Sequence, residues 1–337
     1  MALCRQPGNP MIEADCEACL YQMHLPHSCG HRSCPHCQHH ESQQWLERQL
    51  KKVVPAHYFL ITFTLPRELR SLAWGYQRIV YDTLIQTAWD TLKTFSQNDK
   101  QLKGIPGAIA VLHTHARNLD FHPHVHVVIP AGAIDKRQGV WRTKRTNHKR
   151  KYLFNHTALA NVFRAKMLEA ISEQDLTLPD RMPSKWVVDC KAVGSGEHAL
   201  TYLGKYLYRG VLPEKNIITV NKKTVTYRYQ ESKTKKWRYK TLSGAEFLWK
   251  RLQHVLPKRF RRTRNYGFLH PNSKRLIQVI QLRFSIDPNR FKIHQREKPK
   301  LTCPCCGGNM HFTAFRIPPN DPRLTTKRFI GGQSLVM

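Results

Sequence analysis

A histidine-rich stretch in the first half of the chain restricts the local fold more than any other segment. In His122-Pro123-His124-Val125-His126 every second residue is a histidine. Because side chains of a β-strand alternate between its two faces, the pattern predicts a strand over His122–Ile129 with histidines on one face and Val125 towards a core. Two imidazoles on one face of a strand can hold a divalent metal ion; histidines without a metal are the alternative.

A strand predicted over Gly107–His115 precedes this one and carries further histidines. A short polar turn joins the two strands, so we expect them to be antiparallel. His113 precedes His124 by eleven residues, which suits neighbours in a hairpin. The residues alone leave His113, His115 and His122 open as the third metal ligand.

Two tyrosines follow in a segment that predicts a helix, Glu197–Tyr208. Tyr202 and Tyr206 are spaced i and i+4, so they share one helical face. A phenol is a poor nucleophile at neutral pH, but a nearby metal ion that polarises a phosphate lowers this barrier. Attack then gives a covalent phosphotyrosine. Core aromatic residues are the alternative interpretation of this spacing.

Cysteines near the N-terminus form two C-x2-C pairs. Cys16 with Cys19 and Cys34 with Cys37 match the ligand spacing of a tetrahedral structural zinc site. A module this small has little core, so bound metal would supply its folding energy. The N-terminal sequence predicts no secretory signal, and a reducing compartment disfavours disulfides.

Three more cysteines, Cys303, Cys305 and Cys306, lie near the C-terminus. They resemble half of a metal site. Cys305, His311 or Cys4 would complete it, or the segment binds no metal.

The charge balance predicts a polyanionic partner. The chain of 337 residues has 55 Lys+Arg against 23 Asp+Glu, a formal net charge of +32. Such an excess is untypical of enzymes that act on small metabolites and typical of nucleic-acid-binding proteins. Interleaved aromatic residues would stack on unpaired bases. The residues that we expect to bind DNA are Lys144, Arg145, Lys205, Arg209, Lys236, Trp237, Arg259, Arg261 and Arg262.

No run of about 18 apolar residues occurs, so the sequence predicts no membrane span. We therefore expect a cytoplasmic protein associated with the bacterial nucleoid. Strands and helices alternate through the middle of the chain, which favours an α/β or α+β architecture. The further predicted elements are strands over 57–65, 186–192, 217–229 and 236–242 and helices over 41–52, 72–95, 155–172 and 243–254.

Several segments together resemble the HUH endonucleases. They are Phe63-Thr64-Leu65-Pro66, the stretch LHTHARNLDFHPHVHVVIPAG from Leu112 to Gly132, and YLGKYLYR from Tyr202 to Arg209. With the N-terminal cysteine pairs and HVLPKRFRRTRNYGFLHP from His254 to Pro271, the chain resembles the two-tyrosine rolling-circle transposases of the IS91 type.

This resemblance implies an α+β fold in which a central antiparallel sheet is flanked by helices. The HUH strand would lie in the middle, with the tyrosine helix packed over it. The implied domains are a zinc-binding module (residues 1–45), the HUH nuclease and strand-transferase domain (46–242) and a basic DNA-binding region (243–337).

The resemblance also implies roles for single residues. His124 and His126 would be the paired ligands of Mg²⁺ or Mn²⁺, with His113 as the third. Tyr202 and Tyr206 would be the nucleophiles. This sequence departs from the family at His115, where tryptophan is more frequent, so the third ligand stays open at this stage.

The implied function is that of a DNA transposase that nicks and joins single-stranded DNA through a 5′-phosphotyrosine, in rolling-circle transposition. Its partners would be single strands at the transposon ends and the target. The sequence has no G-x4-G-K-[ST] motif, so a host helicase or the replication machinery would separate the strands. The alternatives are a plasmid replication initiator or relaxase of the same chemistry, a non-catalytic zinc-dependent DNA-binding regulator, and a hydrolytic metalloenzyme.

Overall fold

The structure is a computed structural model that describes residue 4 and residues 11–28, 38–145, 152–208, 211–231, 234–287 and 301–316. It divides into two compact units, Met1–Glu41 with Ile293–Met337, and Ser42–Lys292. In chain order the strands and α-helices are β1 (Met11–Cys16), β2 (Gln22–Pro26), α1 (Gln38–Leu50), β3 (Tyr58–Thr64), α2 (Arg70–Gly75), α3 (Gln77–Asn98), β4 (Ile105–His115), β5 (Phe121–Pro130), β6 (Gly132–Asp135), β7 (Val140–Thr143), α4 (His156–Ser172), β8 (Val188–Ala192), α5 (Glu197–Tyr208), β9 (Ile217–Val220), β10 (Thr224–Gln230), β11 (Trp237–Ser243), α6 (Gly244–Leu252), β12 (Thr263–Gly267), α7 (Lys274–Arg283) and β13 (Met310–Arg316).

The larger unit is built on a seven-stranded sheet. Its main order is β7-β6-β4-β5-β3-β8. Strand β4 pairs with β6 at Ile105 and Pro106 and with β12 from Gly107 to Val111. All of these pairs are antiparallel. The histidine strand β5 therefore lies inside the sheet, and the predicted α+β class with a central antiparallel sheet is confirmed.

The two faces of the central strand β5 have different environments. Val125, Val127 and Ile129 belong to the main hydrophobic core, together with residues of α3 and α4 such as Leu84 and Phe163. The intervening histidines face the opposite side. Because apolar burial stabilises folding by roughly 25 cal/mol per Å², the apolar residues fix which face of β5 the histidines occupy.

A second, three-stranded sheet of order β11-β10-β9 lies in the same unit. It has its own small core, in which Tyr227 packs against Phe247 of α6 with ring centroids 5.7 Å apart. Helix α6 begins at a capping box, in which the Ser243 side chain accepts from the Glu246 N–H and the Glu246 carboxylate accepts from the Ser243 N–H. The Tyr227 hydroxyl donates to the Asn118 carbonyl in the β4–β5 turn, which ties this sheet to the histidine hairpin.

The smaller unit contains a three-stranded antiparallel sheet of order β13-β1-β2. Strand β1 is the middle strand, so the C-terminal strand β13 completes a sheet with the N-terminal hairpin.

The structure corrects two sequence predictions. The helix predicted over 72–95 is two helices, because Tyr76 at φ −122° and ψ 49° interrupts the helical backbone. The strand predicted over 217–229 is two strands, β9 and β10, joined by a turn in which Asn221 accepts backbone N–H bonds from Lys223 and Thr224.

The two units of the structure divide the chain differently from the domain boundary expected at residue 243. Helix α6, strand β12 and helix α7 belong to the larger unit, since β12 pairs with β4 in the central sheet. The segment from Ile293 onward belongs to the smaller unit instead. In the part of the chain that the structure describes, each helix is too short or too polar to span a membrane.

Candidate active site

Three histidines of the larger unit converge on one side of the central sheet. His113 of β4 lies directly opposite His124 of β5 in the strand register. Ring centroids are 5.2 Å apart for His113 and His124, 4.3 Å for His113 and His126, and 5.0 Å for His124 and His126. One ring nitrogen from each histidine lies within 4.8 Å of the others. The three imidazoles therefore offer three donors to a single metal ion.

Neighbouring groups orient two of these rings. Nδ1 of His124 donates to the His122 carbonyl at 2.6 Å, so the lone pair of the neutral ring is on Nε2. The Thr62 hydroxyl lies 2.9 Å from Nδ1 of His126. When Nε2 of His126 binds a metal, Nδ1 carries the proton and donates to this hydroxyl. In both rings Nδ1 has a hydrogen-bond partner, so Nε2 is the nitrogen that remains to bind a metal ion.

The three imidazoles are held in the neutral form that a metal requires. Burial lowers the pKa of His124 to about 4 and that of His126 to about 3. Burial, followed by the charges of His126, His124 and Arg262, holds the pKa of His113 well below its ordinary value. Protons therefore compete weakly with a metal ion at neutral pH.

The other two histidines considered as third ligand lie outside this group. The ring of His115 lies 5.1 Å from that of His254, beyond a register shift in the β4–β5 pair. Nδ1 of His122 accepts from Nη2 of Arg70 at 2.5 Å. The geometry thus favours His113 over His115 and His122.

Helix α5 brings Tyr202 beside the histidines. The Tyr202 ring lies 6.4 Å from the His126 ring, and 49% of the residue is exposed. Gly204 allows a close approach to α1, because a Cβ there would lie 3.3 Å from the Trp45 ring. The Ser42 hydroxyl donates to the Gly204 carbonyl at 2.8 Å, which fixes the helix further.

The side chains of Tyr206 and Lys205, both predicted site residues, lie outside the described part of the chain, as does all of Arg209. Their predicted roles therefore stay predictions.

A cavity of about 620 Å³ opens over the three histidines. Tyr202 lines it, and so do Arg117 and Trp237. Among the described residues that line it, none is a carboxylate. A cavity with this lining suits a polyanion with exposed bases. Sequence analysis missed Arg117, Gln230 and Thr62, whose separation along the chain hides their common position.

The predicted DNA-binding residues fall in different places. Trp237 lies at the cavity with 49% exposure, and the Arg228 guanidinium lies 4.7 Å from its ring centroid. The positive charge of Arg262 helps to lower the pKa of His113. By contrast, Lys144 is half-buried in an ion pair with Asp99, so its charge is already compensated. Lys236, Arg145 and Arg259 are exposed.

Arg261 lines a separate groove of about 1060 Å³ between α1, β12 and α7. This groove has no carboxylate among its described lining residues. Its other cations are Arg48, Lys51, Lys52, Arg264 and Lys274.

In the smaller unit, Cys16 and Cys19 converge with Cys303 and Cys306, and their four sulfurs lie within 4.8 Å of one another. Cys34 and Cys37, which we predicted as the other two zinc ligands, lie outside the described residues. Four thiols fit a structural zinc site, which has no open coordination position for catalysis.

Sequence comparisons agree with these two sites. The family model described as "Putative transposase" matches residues 107–276, and that described as "Transposase zinc-binding domain" matches residues 1–65. The chain is 29% identical over 291 residues to "Putative transposase y4qJ" of Sinorhizobium fredii. This alignment covers 79% of this chain and 72% of that protein. It is also 29% identical over 266 residues to the "Transposase for insertion sequence element IS801" of Pseudomonas savastanoi. That alignment covers 75% of this chain and 64% of that protein.

Among solved structures, the chain is similar to the conjugative relaxase TrwC in complex with mutant OriT DNA, at 14% identity and a TM-score of 0.30, over 67% of this chain and 74% of that chain. A metal-bound TrwC structure matches at 13% identity and the same TM-score, over 67% of this chain and 72% of that chain. The match to the transposase model covers half of the chain and contains all three histidines and Tyr202, and the zinc-binding model covers the N-terminal cysteines. The chain therefore belongs to the IS91-type transposases.

Proposed function

We propose that this transposase nicks and joins single-stranded DNA by transesterification, with Tyr202 as the first nucleophile. The position of the Tyr202 phenol, in one cavity with three convergent histidines, supports this proposal above all other observations. Tyr206 would accept the second strand, as the spacing of the two tyrosines on α5 suggests.

The step conserves the energy of the phosphodiester bond. The Tyr202 hydroxyl gives up its proton as its oxygen attacks the phosphorus, the P–O3′ bond breaks, and the leaving oxygen takes up a proton to give a 3′-OH. The DNA 5′ end remains attached to the tyrosine as a phosphotyrosine. A free 3′-OH then reverses the reaction on the same or another strand. The absence of a carboxylate from the described cavity lining favours this route over hydrolysis by a carboxylate-activated water.

His113, His124 and His126 would hold Mg²⁺ or Mn²⁺. When bound there, such an ion would supply positive charge at the scissile phosphate, which would ease attack by a weak nucleophile. Phosphate and water oxygens would complete the coordination of a hard cation. Imidazole donors suit Mn²⁺ better than Mg²⁺, so we expect Mn²⁺ to bind more tightly.

The DNA would run through the cavity past the exposed Trp237. Indole stacking on an unpaired base and the Arg117 charge would hold the strand, and they tolerate many sequences. Single-stranded substrate requires that duplex ends be opened, so we propose a host helicase or the replication machinery as a partner.

A covalent adduct on a denaturing gel tests the proposal. Wild-type protein with Mn²⁺ and a single-stranded oligonucleotide from the element's end should give a protein–DNA adduct. Tyr202→Phe should abolish it. Tyr239→Phe, an exposed tyrosine outside the cavity lining, is the matched control and should leave it intact.

Two results would contradict the proposal. Cleavage that leaves free 5′-phosphate and no adduct would favour a metal-dependent hydrolase. Full cutting by the Tyr202→Phe variant and by a Tyr202→Phe/Tyr206→Phe variant would show that neither tyrosine is the nucleophile. If only the double variant loses cutting, Tyr206 is the first nucleophile and the assignment to Tyr202 is wrong.

A further inference from the structure

The four converging cysteines of the smaller unit come from opposite ends of the sequence. Sγ of Cys16 lies 3.4 Å from Sγ of Cys306, and Sγ of Cys19 lies 3.5 Å from Sγ of Cys303. Sulfurs about 2.3 Å from one zinc ion in a tetrahedron lie about 3.8 Å apart. Disulfide sulfurs would be bonded at about 2.05 Å. The observed spacing therefore fits four thiolates around one ion.

Strand pairing places the two cysteine pairs together. Strand β13 runs antiparallel to β1, with Cys16 opposite Met310. The turn after β1 carries Cys19, and the turn before β13 carries Cys303 and Cys306. Both turns thus lie at the same end of the sheet. The backbone N–H of Glu17 donates to the Asn309 carbonyl at 3.2 Å and holds the turns side by side.

The two turns have the same local geometry around sulfur. The Ala18 N–H points at Sγ of Cys16, and the Cys305 N–H points at Sγ of Cys303, each at 3.4 Å. Such backbone donors stabilise a thiolate, the form of cysteine that binds zinc. Gly308 leaves room for the sulfurs, because a Cβ there would lie 3.2 Å from Sγ of Cys306 and 3.4 Å from Sγ of Cys16.

The apolar core of this unit is small, and two of the cysteines belong to it. Among the residues that the structure describes in this unit, its buried members are Ala14, Cys16, Cys303 and Met310, with Met23 and Leu301 packed against them. So few apolar side chains stabilise a fold weakly, and a bound metal ion can contribute the remainder.

We propose that one zinc ion, bound by Cys16, Cys19, Cys303 and Cys306, joins the two ends of the chain into a split zinc-binding module. The family match places zinc binding within residues 1–65. The structure extends the module to a C-terminal segment more than 280 residues away, and that segment supplies half of the ligands.

Zinc content of the full-length protein tests this. We expect Cys303→Ser/Cys306→Ser to lose one equivalent of zinc relative to wild type. Cys305→Ser is the matched control, because Cys305 lies in the same turn, is exposed, and is outside the group of four. It should keep the full zinc content. Wild-type zinc content in the double variant would overturn the proposal, as would loss of zinc in Cys305→Ser.

A second variant covers the case in which the serine variant fails to fold. Cys306→His keeps a zinc-binding side chain, so it should retain the full zinc content. After replacement of zinc by Co²⁺, its thiolate-to-cobalt charge-transfer absorption should fall to about three quarters of the wild-type value at this site, because three thiolates remain. An unchanged absorption would show that Cys306 is not a ligand. Neither measurement involves DNA cutting, so the outcome is independent of the proposed transesterification.

Discussion

His113 and His124 face each other across the antiparallel strands β4 and β5, with their ring centroids 5.2 Å apart. This register position, together with His126 two residues along β5, defines a three-imidazole cluster. His115, only two residues from His113, lies past a register shift and contacts His254 instead.

Replacement of His113 should therefore weaken metal binding more than replacement of His115. We expect His113→Ala to lower Mn²⁺ affinity by more than about 100-fold, the upper end of what loss of an outer-shell partner costs. His115→Ala should change it little. Isothermal titration of each variant with Mn²⁺ measures both effects. Equal losses in the two variants would contradict the assignment of His113 as the third ligand.

Loss of the Thr62 hydroxyl should weaken the site without removing a ligand. Because this hydroxyl lies 2.9 Å from Nδ1 of His126, Thr62→Val should lower Mn²⁺ affinity about 10- to 100-fold. Thr64→Val is the control, since Thr64 is on the same face of the same strand and lines the same cavity. A Thr62→Val variant with wild-type affinity would show that the hydroxyl does not orient the ring.

Metal affinity should respond little to mild acid. Protons compete with the metal only as pH approaches the pKa of the ligands, and these are about 4 for His124 and about 3 for His126. We expect nearly constant Mn²⁺ affinity from pH 8 to about pH 5 and a steep loss below that. Three ordinary histidines would lose affinity from about pH 6.5 downward. A loss that begins at pH 6.5 would contradict the buried, neutral state.

The same pKa values predict how the metal-free protein responds to acid. An unfolded histidine binds a proton at about pH 6.5, whereas the buried ones stay neutral in the folded state. The unfolded state thus binds more protons, and the free energy of unfolding should fall as pH drops from about 6.5 towards 4. Urea titrations at a series of pH values measure this. A His124→Gln/His126→Gln variant should show a shallower dependence.

Trp237 should contribute affinity for single strands. Trp237→Ala should weaken binding of a short single-stranded oligonucleotide by about 1 to 3 kcal/mol, the range for loss of one stacked base. Tyr239→Ala is the control, because Tyr239 is two residues along the same strand and 64% exposed but outside the cavity lining. Fluorescence anisotropy gives both values. A larger loss of affinity for Tyr239→Ala than for Trp237→Ala would show that the DNA path lies outside the cavity.

Local patterns predicted most of the elements near the site. Alternation of histidine with Val125 predicted strand β5, and Glu197–Tyr208 was predicted with the bounds that the structure gives. Both depend on one short-range periodicity, which the backbone imposes wherever the chain folds. Interruptions within a pattern were not predictable, as Tyr76 shows. The helical period continues on both sides of it, but the backbone breaks there.

By itself, the sequence determined which residues share a face, because strand and helix periods are properties of the local backbone. It thus identified His124 with His126, and Cys16 with Cys19, as pairs of metal-binding side chains. Only the tertiary structure decided what completes each pair. The register of β4 against β5 brings in His113, and the pairing of β13 with β1 brings Cys303 and Cys306 to Cys16 and Cys19. His113 depends on the exact register of a hairpin, and Cys303 and Cys306 depend on the pairing of two strands from opposite ends of the chain; short-range periodicity determines neither.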